Sequence, residues 1–241
     1  MEENLSKSLI GATASNLTDI TKDVIETLFD SILDDGFVKS IPVVNTVHSL
    51  YKMGLGIRER IFIKMLLKFL LELKNISIEE RETFVIKLQE KEYGDDVGEK
   101  IIIILDKIDD SDKASMIGKL FSAYIRGKFE FEDFLRLSHI INNSFVGDIK
   151  MLPKYFSDEK AIWRLDDDFA NKLNRIGLVS SKIKPDFIAK TNKERFSGSE
   201  SHLDYVVSYS LNNDALIIVR EVFDLEWIEK LYQTYSKNHK N

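Results

Sequence analysis

The chain has no cysteine among its 241 residues, and it has only three prolines and eleven glycines. The absence of cysteine excludes disulfide bonds, thiolate nucleophiles and cysteine-ligated zinc, and it is typical of proteins in a reducing cytoplasm. So few prolines and glycines cannot supply the turns of a β sandwich, and they favour helices instead. The composition therefore predicts a mainly α, cytoplasmic protein.

The chain also lacks the sequence motifs of common catalytic and cofactor sites. It contains no phosphate-binding glycine loop, no nucleophile elbow and no His-Glu-x-x-His. The four histidines are far apart, with no second ligand at metal-binding spacing: His48, His139, His202 and His239. The acidic run at 106–112 lacks the central glycine and terminal glutamate of a calcium loop. We predict no enzyme, cofactor or metal; an active site would need carboxylates that sequence spacing does not reveal.

No run of residues is apolar enough for a clear transmembrane helix, and the N-terminus Met-Glu-Glu-Asn is acidic, unlike a secretory signal. The most apolar segment is 36–73, and within it Lys64 and Lys68 punctuate residues 57–73. We interpret this stretch as a core helix, although a helix lying on a lipid surface with its lysines extended to water has the same pattern. The candidate membrane or partner face comprises Val44, Phe62, Leu66 and Phe69.

Apolar residues at three-to-four spacing predict a helical array over residues 1–152. The first helix carries Leu17 to Ile32 and ends at Gly36, and a short second helix covers 43–53. The third begins near Ile57, and Ser77 with Glu80 forms the capping box of a fourth. Residues 92–98 are predicted as a loop and 101–105 as helix. Further helices extend from the cap at 109–112 to Gly127 and over 130–142.

The pattern changes after Pro153, and residues 153–241 are predicted as a winged-helix-like α+β part. A capped helix ends at Gly177, and strands follow at 187–190 and 205–211, with a polar hairpin tip at 192–201 between them. Asn213 is predicted to cap the next helix, and a closing helix covers 225–237.

This C-terminal part also has a local excess of positive charge, although the whole chain has a net charge of −6. Over residues 172–195 there are seven bases against Asp186 and Glu194, and these bases are candidate phosphate or partner contacts: Lys172, Arg175, Lys182, Lys184, Lys190, Lys193 and Arg195. Against a role in DNA binding, the helix that would enter the groove begins with three aspartates, 166–168.

Four segments together resemble the bacterial Abi-alpha type of abortive-infection proteins in their layout. They are Ile41-Pro-Val-Val44, Ser115-Met-Ile-Gly-Lys-Leu-Phe-Ser-Ala-Tyr124, Leu173-Asn-Arg-Ile-Gly-Leu-Val179 and Tyr209-Ser-Leu-Asn-Asn-Asp-Ala215. The resemblance implies a bacterial, non-enzymatic protein of phage defence that acts at membranes, and it transfers no functional residue. The charges within 36–73 depart from the membrane part of that expectation.

We therefore predict an interaction protein of bacterial phage defence that works through protein contacts on its helical array. Two alternatives remain open at the level of sequence. One is a winged-helix regulator that binds nucleic acid through 172–195, and the other is a membrane-perturbing effector with peripheral contact through 36–73.

Overall fold

The computed structural model of the chain describes residues 2–30, 43–46, 56–90, 94–155, 167–186 and 204–225. Helices make up 77% of the interpretable residues and the sheet has two antiparallel strands, so the prediction of a mainly α protein is confirmed. The chain divides into two compact units, residues 1–149 and 150–241.

In the described part of the first unit all regular secondary structure is helical. Its helices are α1 (Glu2–Ala14), α2 (Lys22–Asp30), α3 (Ile57–Glu72), α4 (Ile78–Glu90), α5 (Gly94–Asp106), α6 (Ser111–Ile125) and α7 (Phe131–Asn143), and α8 (Val146–Tyr155) includes the boundary with the second unit. A 3₁₀ turn, Leu73–Asn75, follows α3.

The centre of this unit is the packing of α3 against α6. At Gly118 of α6 a Cβ atom would lie 2.6 Å from the carbonyl oxygen of Phe69 in α3, so the absence of a side chain permits this close approach. Aromatic rings with centroids 5.3 to 6.1 Å apart surround the contact: Phe69, Phe84, Phe121, Tyr124, Phe131 and Phe134. Packed aromatic rings of this kind stabilise the fold by more than the free energy expected from the apolar area that they bury.

Helix α1 is an element that the sequence pattern did not predict. It packs on α5, where a Cβ at Gly98 would lie 2.9 Å from the carbonyl oxygen of Ser6. Its buried face includes the polar side chains of Ser6 and Thr13, and the Thr13 hydroxyl donates to the carbonyl of Leu9 at 3.1 Å. Because these polar residues interrupt the apolar period, the usual signal of an amphipathic helix is weak here.

The predicted first helix from Leu17 is wrong at its start, since α2 begins at Lys22. Leu17 is buried as expected, but it lies in a turn where Asn16 Oδ1 accepts from the Thr18 amide at 2.9 Å. The Thr21 hydroxyl then accepts from the Val24 amide at 3.2 Å and caps α2. Local hydrogen bonds from Asn and Thr side chains compete with helix formation in this way. The expected C-cap at Gly36 lies outside the described residues.

Several other helix predictions are confirmed. Helix α3 begins at Ile57, the Ser77 and Glu80 capping box is present with both hydrogen bonds at 3.2 Å, and residues 101–105 are helical in α5. Helix α7 follows the prediction for 130–142 to within a residue. Gly127 has a φ of 69°, and the amide of Lys128 donates to the Ala123 carbonyl at 3.1 Å, which terminates α6.

Two predictions in this unit need correction or fall partly outside the described chain. The loop at 92–98 is wrong, because α5 begins at Gly94 and therefore includes most of it. Of the helix predicted over 43–53, residues 43–46 are helical and the remainder lies outside the described residues.

Long cationic side chains in this unit bind main-chain carbonyls near helix ends and turns. Arg81 Nη1 donates to Thr13 O at 2.7 Å and Ser15 O at 2.8 Å, Lys74 Nζ to Thr18 O and Ile20 O at 3.1 Å, Lys113 Nζ to Asn142 O at 3.0 Å, and Arg126 Nη2 to Asn75 O. The last carbonyls of a helix lack intrahelical donors and carry partial negative charge, so a cation stabilises them. These four bases therefore have internal structural contacts.

The second unit contains α9 (Asp167–Arg175), β1 (Val179–Asp186), β2 (Asp204–Leu211) and α10 (Asn213–Phe223). The strands pair antiparallel, with Val179 opposite Leu211 and Asp186 opposite Asp204. The described partner of β2 is Val179–Asp186, a strand that was not predicted, and the strand predicted at 187–190 lies outside the described residues. The polar tip at 192–201 and most of the closing helix at 225–237 lie outside them too.

Candidate functional site

Helix α9 leads directly into the hairpin formed by β1 and β2. The charged residues of α9 are favourably placed at both ends of the helix. Acidic Asp167 and Asp168 occupy the first turn and basic Lys172 and Arg175 the last, as the helix dipole favours. Gly177 has a φ of 82°, and the amide of Leu178 donates back to the Leu173 carbonyl at 2.9 Å. This predicted C-cap is confirmed, and it turns the chain into β1.

Asn212 fixes the opposite end of the hairpin. Its amide donates to the Leu178 carbonyl at 3.2 Å, and its Nδ2 donates to the Gly177 carbonyl at 2.5 Å. Its Oδ1 accepts from the Ala215 amide at 3.1 Å, so Asn212, and not the predicted Asn213, is the N-cap of α10. One side chain thus joins the end of α9, the base of the hairpin and the start of α10.

The two faces of the hairpin differ in character because side chains alternate along each strand. One face carries Val179, Ser181 and Ile183 of β1, and Val207, Tyr209 and Leu211 of β2. The other face carries Ser180 and Lys182 of β1, and Ser210 of β2. The first set is mainly apolar and the second mainly polar, and we call the first the apolar face.

The base of the apolar face is buried within the second unit. Val179 and Leu211, which lie opposite each other, are both buried. Tyr209 is held to α9, since its hydroxyl donates to Asn171 Oδ1 at 2.7 Å. This end of the hairpin is therefore fixed by packing and hydrogen bonds.

Further along the same face, Ile183 and Val207 lie directly opposite each other and are open to solvent, with exposures of 70% and 43%. Other strongly exposed apolar residues, such as Ile57 and Phe145, lie at the starts of helices rather than on a sheet face. Ile183 and Val207 therefore form a directly paired, exposed apolar couple on an anchored hairpin. Ile183 was not among the predicted strand residues, because the predicted first strand begins after Asp186, although residues 179–185 already alternate.

The structure describes four of the seven predicted basic residues. Lys172 and Arg175 are exposed on α9, and Lys182 is exposed on β1. Lys184 lies in β1, at the register position opposite Val206. The other three candidates, Lys190, Lys193 and Arg195, lie outside the described residues.

The predicted membrane or partner face lies largely within the core of the first unit. Leu66 and Phe69 have no exposed surface, Val44 is buried, and Phe62 is half-buried. These residues belong to the interior because Phe69 packs on Phe121 of α6, with ring centroids 5.3 Å apart. In this conformation Val44, Leu66 and Phe69 are enclosed in the core, and only Phe62 keeps partial exposure.

The described residues contain neither a metal site nor a membrane span. No three His, Asp or Glu side chains among them come together as a metal site, and none of their helices combines the length and apolarity needed to cross a bilayer. In the acidic run, Asp109 pairs with Lys113 and Asp110 caps α6 by accepting from the Asp112 amide at 2.8 Å. Comparison with family models, curated proteins and solved structures finds no match.

Proposed function

We propose that the chain is a non-enzymatic bacterial interaction protein of phage defence that acts through protein contacts, and that the apolar face of the hairpin is a contact surface. The observation that carries the contact surface is the pair Ile183 and Val207, exposed side by side on a hairpin whose base is anchored. The assignment to phage defence rests on the resemblance in layout to Abi-alpha type proteins. This proposal locates the contact on the second unit, whereas the sequence alone predicted contacts on the helical array.

The energetics favour a partner that covers this pair. Full burial of a side chain such as Ile or Val contributes about 1.5–3 kcal/mol. Because Asn212 and Tyr209 already fix the strands, a partner would not have to order the base of the hairpin. Preorganised apolar surface is a common centre of protein interfaces.

The test compares the wild type with Ile183→Asp in affinity capture from a bacterial lysate, with and without phage infection, and in a plaque assay. We expect the variant to lose the captured partner and the reduction in plaques. The matched control is Ile86→Asp, because Ile86 is also exposed but lies on α4 of the first unit. Equal capture and equal plaque reduction by Ile183→Asp and the wild type would contradict the proposal.

A winged-helix DNA-binding regulator is the second candidate function. It is favoured by the order of α9 followed directly by the hairpin and by exposed Lys172, Arg175 and Lys182 beside it. It is disfavoured by Asp167 and Asp168, which are exposed at the start of the helix that would meet the phosphates. The membrane effector ranks below both, since Leu66 and Phe69 would have to leave the core to reach lipid.

A further inference from the structure

The two strands of the hairpin differ in how well their outer edges are protected. In the described residues the sheet contains only β1 and β2, so each strand has one edge without a strand neighbour. Natural proteins protect such edges with proline, which has no N–H, and with lysine. Strand β1 has Pro185, Lys182 and Lys184, whereas β2 has neither residue type.

The sequence of β2 also suits pairing with itself. Residues 205–213, Tyr-Val-Val-Ser-Tyr-Ser-Leu-Asn-Asn, carry no charge in a chain that is 31% charged. Two copies of net charge −6 repel each other, and a two-fold contact adds least to this repulsion where the contacting segment carries no charge. The uncharged edge of β2 is therefore electrostatically compatible with a second copy.

We propose that β2 pairs antiparallel with β2 of a second copy and so forms a four-stranded sheet, with Val207 opposite Val207 of the second copy. In this register Tyr205 lies opposite Tyr209 of the second copy, and Asp204 lies opposite Ser210, so no like charges face each other across the new strand pair. Cross-strand aromatic pairs of this kind stabilise antiparallel sheets.

The register also joins the exposed Ile183 and Val207 pairs of the two copies into one longer apolar row. Ile183 is opposite Val207 within each hairpin, so the two hairpins together place Ile183, Val207, Val207 and Ile183 in one row across four strands on the same face. The dimer thereby doubles the apolar face, while Leu211, buried at the start of α10, stays outside the pairing. This inference concerns the edge of β2, and the proposed function concerns the face, so either can fail alone.

The first experiment is disulfide trapping. An introduced cysteine can form a disulfide only with its counterpart in a second copy, because the chain has no other cysteine. Across the two-fold axis, residues 207 are adjacent in paired strands, within the Cα separation of about 4.4–6.8 Å that a disulfide spans. Residues 183 are three strand spacings apart, about 14 Å. Val207→Cys should form covalent dimer under mild oxidation, at least about tenfold more than Ile183→Cys, because a disulfide does not form beyond about 7 Å.

Ile183→Cys is a stringent control, because position 183 is the more exposed and would cross-link faster in random collisions. The second experiment measures mass in solution by light scattering. Wild type and Ile183→Lys should be dimeric, Val207→Lys and Val207→Glu should each be monomeric, and a mixture of those two variants should recover the dimer. A monomeric wild type, or equal cross-linking at both positions, would overturn the dimer. The proposed function would still stand if Ile183→Asp lost its partner.

Discussion

The Nζ of Lys113 lies 2.6 Å from Oδ1 of Asp109, one turn earlier, in an ion pair whose lysine side chain is 2% exposed and whose aspartate is 75% exposed. The lysine therefore remains in the core of the first unit, with its charge matched by a carboxylate at the surface and by the carbonyl of Asn142. This contact ties the loop before α6 to the end of α7.

Asp109→Asn should lower the free energy of unfolding by about 1–3 kcal/mol, because a buried ammonium loses the charged partner that offsets its desolvation. Urea denaturation followed by circular dichroism measures the change. The control is Asp106→Asn, which removes the exposed pair of Arg58 and Asp106 at 3.1 Å and should cost less than about 1 kcal/mol. Equal losses in the two variants would mean that the burial of Lys113 adds nothing.

The same pair predicts a pH dependence. The hydrogen bond from Lys113 is the main cause that lowers the pKa of the Asp109 carboxyl. Because the folded pKa is below the unfolded value of about 3.9, the stabilisation is fully present above that value and is lost as the pH falls through the folded pKa. Wild type should therefore lose more stability than Asp109→Asn between neutral pH and about pH 3. Parallel stability curves for the two proteins over this range would contradict the assignment.

Glycine-to-alanine substitutions should have opposite effects at the two close helix contacts and at an open helix position. Gly118→Ala and Gly98→Ala should each destabilise the chain by about 1–3 kcal/mol, since the new Cβ would meet the backbone of Phe69 or Ser6. Gly11→Ala in α1 has no atom within 4 Å of the new Cβ and should stabilise by about 0.5–1 kcal/mol through helix propensity. Thermal unfolding of the three variants measures the difference, and destabilisation by Gly11→Ala would contradict the described position of α1.

These contacts also show what the sequence could and could not predict. The capping box at Ser77 and the stops at Gly127 and Gly177 were predicted because a cap depends on residues three or four apart. Helix α1 was missed because its burial depends on α5, nearly 90 residues later in the chain, which compensates for the polar Ser6 and Thr13. Long-range packing of this kind leaves no local period in the sequence.

The proposed contact surface could be predicted only in part for a related reason. The basic residues of 172–195 are visible in the sequence, but the pairing of Ile183 with Val207 depends on the strand register, which joins residues 24 positions apart. Four bases of the first unit, Lys74, Arg81, Lys113 and Arg126, have structural roles that their sequence positions do not reveal. Charge alone therefore did not distinguish a binding residue from a structural one.

Replacement of Arg81 should destabilise α1 locally. The Arg81 guanidinium is buried, which lowers its pKa, and it donates to the carbonyls of Thr13 and Ser15. Arg81→Met should cost about 2–4 kcal/mol, because hydrogen bonds to a charged group contribute about 1.5–3 kcal/mol each. Hydrogen exchange should then show faster opening of α1 than in Lys87→Met, an exposed control on the same helix. Unchanged exchange in α1 would show that Arg81 does not hold it.

The alternative DNA-binding function is tested by measuring the affinity for duplex DNA by fluorescence anisotropy at increasing salt. If the protein acts through protein contacts, binding at physiological salt should be no tighter than the about 10⁻⁴–10⁻⁶ M of non-specific association. A combined Lys172→Gln, Arg175→Gln and Lys182→Gln variant should weaken it further and leave partner capture unchanged, because Ile183 lies on the opposite face of β1 from Lys182. Ile183→Asp should give the reverse result, with normal DNA affinity and no partner. Specific binding near about 10⁻⁸ M that the triple variant abolishes would instead identify the hairpin and α9 as a nucleic-acid interface.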